Sequence, residues 1–264
     1  MKYLNQEELN EILEKHEMWL KNEKGGERAD LINVDLRSID LSNVNLSGAD
    51  LKNANLGGAD LSNVNLSNAD LWNVNLSYAE LRGSDLWNIN LSESDLNNAN
   101  LSDTNLRGAN LSYSNLSYTD LRGADLRYAD LNNSNLWDAN LSYANLNNIE
   151  TNMNTIGYNL ACPEKGSFIG YKKANECIVE LLILEDSKRS SATTSKCRCD
   201  KAKVLNIEDI KTGEKVKEVN SNYDFDFTYR IGEIVTVDNF DDDRWNECAT
   251  GIHFFMKKDN AIKY

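Results

Sequence analysis

The chain has 264 residues, 42 of them acidic and 28 basic, which gives a formal net charge of −14. This acidic balance argues against direct nucleic-acid binding as the main task of the surface. The two histidines, His16 and His253, are too few for a histidine-rich metal site or for a hydrolase with several candidate bases.

Two further absences predict a cytoplasmic chain. No apolar run approaches the ~20 residues that a membrane helix needs, so no membrane partner is expected. Residues 1–20 are charged throughout and lack the apolar core of a signal peptide. Together with an odd number of cysteines, five, this indicates free thiols in a reducing compartment.

Residues 1–28 predict a helix that caps the segment behind it. Asn5 and Glu8 have the spacing of a capping box, and Gly25 and Gly26 are expected to end the helix. The apolar positions between them recur at helical spacing: Leu9, Ile12, Leu13, His16 and Leu20. His16 lies on the border of this stripe and is expected to be structural.

An internal repeat begins at Ala29. Leucine occupies every fifth position from Leu31 to Leu146, which makes 24 leucines without an exception. The residue two places before each leucine is small or β-branched, and the residue directly before it is Asp, Asn or occasionally Glu. The repeating unit is therefore Ala-Asp/Asn-Leu-x-x.

A period of five residues fits neither an α-helix nor a flat β-strand. A helix would spread the leucines around its circumference, and a strand would turn successive leucines to opposite faces. The period fits a chain that turns a corner every five residues and points the small residue and the leucine inward. Four such sides close one coil, and successive coils stack at the strand spacing of ~4.8 Å.

Residues 29–150 resemble the pentapeptide-repeat proteins over all 24 consecutive units. The resemblance implies a right-handed quadrilateral parallel β-helix, in which 24 sides make six coils. Because an open solenoid end exposes core leucines and unpaired strand edges, the N-terminal helix is expected to cover the first coil. The predicted fold class is mainly β: a capping helix over 1–28, the β-helix over 29–150 and a small α+β domain over 151–264.

Acidic side chains are concentrated on the repeat, where 16 acidic and 6 basic residues give a net charge of −10. Stacking would place eight of them in two columns on opposite faces, which begin with Asp30, Asp50 and Asp70 and with Asp40, Asp60 and Glu80. The resemblance implies one use for such columns, because some pentapeptide-repeat proteins imitate a nucleic-acid backbone and bind DNA gyrase or topoisomerase IV. The alternative is structural, because Asp and Asn accept local hydrogen bonds and tolerate turn conformations.

Outward-facing aromatic residues are the second candidate surface. Tyr78, Tyr118 and Trp137 are expected to share one face of the solenoid, although Asn98 interrupts the column between the two tyrosines. Such rings could anchor a protein partner. Alternatively, they cover neighbouring coils by lying flat along the surface.

After Glu150 the rhythm of five stops, and alternating apolar patterns predict the small α+β domain. The predicted strands cover residues 167–172, 177–184, 203–207, 214–219, 225–231 and 252–256, and a short helix covers 258–263. The segments 197–202, 243–248 and 251–255 resemble an uncharacterised domain that accompanies pentapeptide repeats in phage and bacterial proteins. This resemblance implies no activity.

The C-terminal domain holds one cluster of metal-ligand residue types: Cys197, Cys199, Cys248 and His253. Their spacing is not that of a standard zinc site, so neither a metal nor a cofactor is expected. A nucleophilic pair of Cys248 with His253 is a further alternative. The basic, hydroxyl-rich segment 188–201 predicts a solvated surface loop, with phosphate or nucleic-acid binding as the alternative.

These observations predict a non-catalytic, monomeric scaffold that presents its solenoid surface to an unknown protein partner. The first alternative is a DNA mimic that binds a type II topoisomerase. The second is an enzymatic or metal-binding activity in the C-terminal domain.

Overall fold

A computed structural model of the chain describes residues 1–222, 224, 226–246 and 248–264. The chain divides into two compact units, Met1–Asn159 and Leu160–Tyr264, so the division falls somewhat later than the predicted boundary at residue 150. Among the described residues, no helix has the length and apolar character that a membrane span needs.

The first unit begins with strand β1 (Lys2–Tyr3) and helix α1 (Gln6–Leu20). The predicted capping box is confirmed, because the Asn5 side chain accepts a hydrogen bond from the Glu8 amide and the Glu8 carboxylate accepts one from the Asn5 amide, both at 2.9 Å. The helix ends at Leu20, earlier than the two glycines. Gly26 therefore does not end the helix. Glycine is required at this position because a Cβ would clash with the backbone of Trp19.

The repeat folds into stacked coils with a period of 20 residues. Parallel bridges join Asp30 to Asp50 and recur at every fifth residue. In the first of them, the Leu31 amide donates to the Asp50 carbonyl at 2.8 Å and the Asp50 amide donates to the Ala29 carbonyl at 3.1 Å. Most sides of a coil are joined to the next coil by a single bridging pair of residues. In addition, β1 pairs in parallel with the short strand β2 (Val34–Asp35). The four-sided coil that the period of five predicts is therefore the coil that forms.

A tight turn makes each corner. The Val34 amide donates to the Leu31 carbonyl at 3.3 Å, and Asn33, between them, has a φ of 56°. A positive φ at the third residue of a β-turn is the arrangement of type II, which favours Gly or Asn at that place. The same place in later units is held mostly by Asn and Gly, and in several units by Tyr.

The leucines form the core of the solenoid. Every leucine of the series from Leu31 to Leu141 is at most 4% exposed, and only Leu146, in the last side, is half-buried. The small residue two places earlier is buried in nearly every unit, so large and small side chains alternate through the interior. Alternation of this kind favours dense packing, which is what stabilises a protein core.

The elements of the second unit are β3 (Phe168–Ala174), β4 (Cys177–Ile183), β5 (Arg189–Ser191), β6 (Lys196–Cys199), β7 (Lys201–Asp209), β8 (Glu218–Asn220), β9 (Thr228–Arg230), β10 (Ile234–Thr236), β11 (Ile252–Phe255) and helix α2 (Lys258–Lys263). Seven of the strands form one sheet with the order β10-β7-β4-β3-β11-β6-β5, in which neighbouring strands are antiparallel. A separate hairpin pairs β8 with β9.

Most predicted elements of this unit are present. The strands predicted at 167–172, 177–184, 203–207 and 252–256 correspond to β3, β4, β7 and β11, and the predicted helix is α2. The strands predicted at 214–219 and 225–231 are shorter in the structure, as β8 and β9, and Phe225 lies outside the described residues. The prediction missed β5, β6 and β10.

Candidate functional site

The six acidic residues that open the two columns have a structural task. In each of them a side-chain oxygen accepts a hydrogen bond from the backbone amide two residues later, at distances from 2.9 Å for Asp40 and Asp60 to 3.4 Å for Asp50. This is the Asx-turn arrangement, or its longer Glu equivalent. The recurrence of Asp and Asn before each leucine therefore follows from turn formation.

Cationic and amide side chains also partner these columns. Lys52 bridges Asp50 and Asp70 at 3.1 and 3.0 Å. Burial raises the pKa of Asp70, but hydrogen bonds from Lys52, the Trp72 amide and Asn90 outweigh it and lower the pKa below the usual value. In the other column, Asn100 donates to Glu80 at 2.7 Å. The charge presented to solvent is therefore less regular than the sequence suggests.

The second candidate surface consists of aromatic side chains that are exposed to solvent. Tyr78, Tyr118 and Trp137, here called the aromatic surface, are 69%, 52% and 39% exposed. The Tyr118 amide donates to the Trp137 carbonyl at 2.9 Å, which places these two residues in successive coils on one side. Contact with a protein partner would bury rings that the solenoid itself leaves open.

Both tyrosines of this surface have unfavourable backbone conformations. Tyr78 and Tyr118 have φ of 60°, a region that bulky residues avoid because Cβ approaches the carbonyl oxygen. Tyr113, Tyr128 and Tyr143 share the feature. Asn or Gly fills this place in most other units at lower cost, so turn formation does not explain the tyrosines.

The metal-ligand residue types do not converge. Cys197 and Cys199 lie on the core face of β6, whereas His253 pairs with Arg198 and so lies on the opposite face, and Cys248 is exposed. Burial raises the pKa of Cys199 and keeps this thiol protonated. Among the described residues, no group of three His, Cys, Asp or Glu side chains is placed to hold a metal ion.

The basic segment 188–201 is not a solvated loop, which corrects the prediction. It contains β5 and β6, and several of its side chains are buried. Arg198 is 2% exposed and donates to the carbonyls of Asp241 and Asp243. Arg189 donates to the Gly166 carbonyl at 2.7 Å. These guanidinium groups satisfy backbone carbonyls within the unit.

The second unit contains a cavity of about 510 Å³ that was not predicted from the sequence. Its lining includes Lys172, Lys196, Tyr229, His253 and Tyr264. Lys172 pairs directly with Val179 and therefore lies on the core face of the sheet. The signal was present in the sequence, because this lysine interrupts the alternating apolar pattern of β3.

Comparison with family models assigns the repeat and the C-terminal segment to two different families. Residues 29–68, 49–88, 89–127 and 119–149 match pentapeptide repeats (8 copies), and residues 158–261 match the family of unknown function DUF5758. The chain thus contains a segment of pentapeptide repeats followed by a segment that matches DUF5758. The repeat family and the observed bridges agree on a β-helix.

Solved pentapeptide-repeat structures align with part of the chain. HetL of the cyanobacterium Nostoc sp. strain PCC 7120, involved in heterocyst differentiation regulation, is 31% identical over 48% of this chain and 61% of HetL, with a TM-score of 0.26. Rfr23 of the cyanobacterium Cyanothece 51142 is 28% identical over 56% of this chain and 97% of Rfr23, with a TM-score of 0.29. The fluoroquinolone resistance protein QnrB1 is 16% identical over 47% of this chain and 84% of QnrB1, with a TM-score of 0.30.

The chain therefore covers less than two thirds of the length of HetL. No curated protein is similar enough to the chain to count as a relative.

Proposed function

We propose that the chain is a non-catalytic scaffold that binds a protein partner through the aromatic surface of its solenoid. The observation that carries this proposal is the exposure of Tyr78 and Tyr118 in a backbone conformation that disfavours tyrosine. A backbone cost at side chains that stay more than half exposed indicates a use outside the fold. Tyrosine and tryptophan are also the residues that most often anchor protein interfaces.

The acidic columns are a weaker candidate for the interface. Their carboxylates accept turn hydrogen bonds, and Lys52 and Arg122 form ion pairs with Asp50 and Asp120 at 3.1 and 2.5 Å. Asn residues also interrupt both columns. A mimic of a nucleic-acid backbone requires evenly spaced charges, so topoisomerase binding is the less favoured function.

The proposed architecture is a right-handed solenoid of six coils whose N-terminal end is closed by α1. One burial value and two hydrogen bonds support the closure. His16 is fully buried, the Ala29 amide donates to its Nδ1 at 3.0 Å, and the Glu27 amide donates to the Lys15 carbonyl at 3.0 Å. In this proposal the scaffold acts as a cytoplasmic monomer, because the covered end cannot pair with another copy.

Site-directed photo-crosslinking tests the proposed interface. A photoreactive phenylalanine analogue is placed at Tyr118 and, as a matched control, at Tyr3, which is 72% exposed but lies outside the aromatic surface. After irradiation in the native host, we expect a heteromeric protein crosslink at position 118 and not at position 3. The crosslink should disappear when Tyr78 and Trp137 are replaced with Ser.

Equal crosslinking at positions 118 and 3 would contradict the proposal. Crosslinks at position 118 that join only copies of this chain would also contradict it.

A further inference from the structure

The cavity of the second unit opens where two strands of the sheet separate. Among the described residues, β3 and β11 pair only at Tyr171 and Phe255. Lys172 on β3 and His253 on β11 lie beyond this pair and line the cavity. The opening is therefore a feature of the sheet and lies wholly within Leu160–Tyr264.

The cavity is lined by two lysine side chains, Lys172 and Lys196. Lys196 is 8% exposed, and its Nζ lies 3.5 Å from the Tyr264 hydroxyl and 5.4 Å from the centre of the Tyr264 ring. No described residue forms an ion pair with Lys172 or Lys196, although Asp224 also lines the cavity. The Asp224 carboxylate accepts a hydrogen bond from the Asp226 amide at 3.1 Å.

The neighbouring lysines are partnered, which sets these two apart. Lys173 Nζ donates to the Ile262 carbonyl at 3.3 Å, and Lys201 pairs with Asp186 at 2.7 Å. Burial, together with the charge of Lys196, lowers the pKa of Lys172 to about 8. At pH 7 most molecules still carry the ammonium group, so the cavity holds two like charges at an electrostatic cost.

Aromatic side chains form much of the remaining wall. Phe227 and the buried Tyr229 lie on the core side, and the Tyr264 ring packs on Phe255 with 5.3 Å between ring centres. A cavity with an apolar wall and a few convergent polar groups is the usual form of a small-molecule site. Its volume accommodates a ligand of modest size.

We propose that this cavity binds a small molecule that joins a phosphate monoester to a flat apolar group, with Lys172 and Lys196 holding the phosphate. A phosphate monoester carries close to two negative charges at pH 7, which matches the two ammonium groups. The flat group packs against the aromatic wall. The inference is independent of the solenoid and of the scaffold function proposed above.

Calorimetric titration with phenyl phosphate tests the ligand class. Phenyl phosphate supplies both required parts, whereas benzoate carries one charge and inorganic phosphate carries no ring. We expect saturable binding of phenyl phosphate to the full chain, and weaker binding of benzoate and of inorganic phosphate. Equal binding of phenyl phosphate and benzoate, or no saturable binding of phenyl phosphate, would overturn the proposal.

Variants of the full chain locate the site. Lys172→Met and Lys196→Met should each weaken binding by about 10-fold or more, because each removes a charge-assisted hydrogen bond. Lys165→Met is the matched control, since Lys165 is an exposed lysine of the same unit, and it should bind as the unaltered chain does. Equal affinity in all three variants would contradict the assignment.

A labelling experiment on the unaltered chain does not depend on whether the variants fold. Near pH 8 about half of the Lys172 amine is unprotonated and open to acetylation, which peptide mass spectrometry quantifies. Bound phosphate favours the ammonium form and raises the pKa, so phenyl phosphate should slow acetylation of Lys172 but not of Lys165. An unchanged rate at Lys172 under saturating ligand would overturn the proposal.

Discussion

The backbone amide of Ala29, the first residue of the repeat, donates a 3.0 Å hydrogen bond to Nδ1 of His16 in helix α1. This contact requires an unprotonated Nδ1, so the folded state holds the imidazole neutral with its proton on Nε2. The ring stacks on Trp19 with 5.3 Å between centres. Burial and the nearby charge of Arg28 lower the pKa of His16 below its usual value.

The first unit should therefore lose stability in mild acid. The unfolded chain binds a proton at His16 near pH 6.5, whereas the folded chain binds it only at lower pH. The stabilisation is complete above pH 6.5 and is lost as the pH falls through this value toward the folded-state pKa. Urea unfolding between pH 7.5 and 5 measures this loss, and His16→Gln should remove the part of the pH dependence that comes from this residue. An identical pH dependence in the variant would rule out this account of the contact.

The tyrosines of the aromatic surface should contribute nothing to folding. Replacing Tyr118 with Asn relieves the unfavourable left-handed backbone, so we expect the free energy of unfolding to stay constant or to rise by up to about 1 kcal/mol. Tyr128→Asn is the comparison, because Arg107 lies over the Tyr128 ring at 5.6 Å and that contact would be lost. Chemical denaturation measures both variants. A loss of more than about 1 kcal/mol for Tyr118→Asn would show that the ring covers its neighbouring coils instead.

The stacked leucines should set the stability of the solenoid. Leu91 is fully buried at mid-solenoid, and Leu91→Ala should lower the free energy of unfolding by about 3 kcal/mol through lost burial and the remaining cavity. Arg82→Ala is the matched surface control, since its side chain is 68% exposed, and it should change stability by less than about 0.5 kcal/mol. Equal effects of the two substitutions would contradict the leucine core.

The purified protein should leave DNA gyrase largely active. Because turn formation and the Lys52 ion pairs occupy Asp50 and Asp70, we expect weak or no inhibition in a supercoiling assay at micromolar protein. Strong inhibition that Asp50→Lys combined with Asp70→Lys abolishes would promote the topoisomerase alternative.

The two units differ in how much of their structure the sequence predicts. The solenoid depends on contacts that repeat every five residues, so the period alone predicts the coil, the buried leucines and the outward faces. In the second unit, β3, β4, β7 and β11 show apolar alternation and were predicted. Strand β6 was missed because the burial of Arg198 depends on carbonyls of Asp241 and Asp243, which are distant in sequence.

The candidate sites were likewise predictable from the sequence only in part. The exposure of Tyr78, Tyr118 and Trp137 could be predicted from the repeat, but the positive φ of the tyrosines required the structure. The cavity required it too, because β11, which lies between the strands of Lys172 and Lys196 in the sheet, comes more than 50 residues later in the chain.

Size-exclusion chromatography of extracts from the native host tests the scaffold function most directly. The unaltered 29.8 kDa chain should elute at a larger mass together with its partner. The triple variant Tyr78→Ser, Tyr118→Ser, Trp137→Ser should elute as the free folded chain, while Tyr3→Ser should keep the complex. A complex that persists unchanged in the triple variant, or an unaltered chain that elutes alone, would contradict the account.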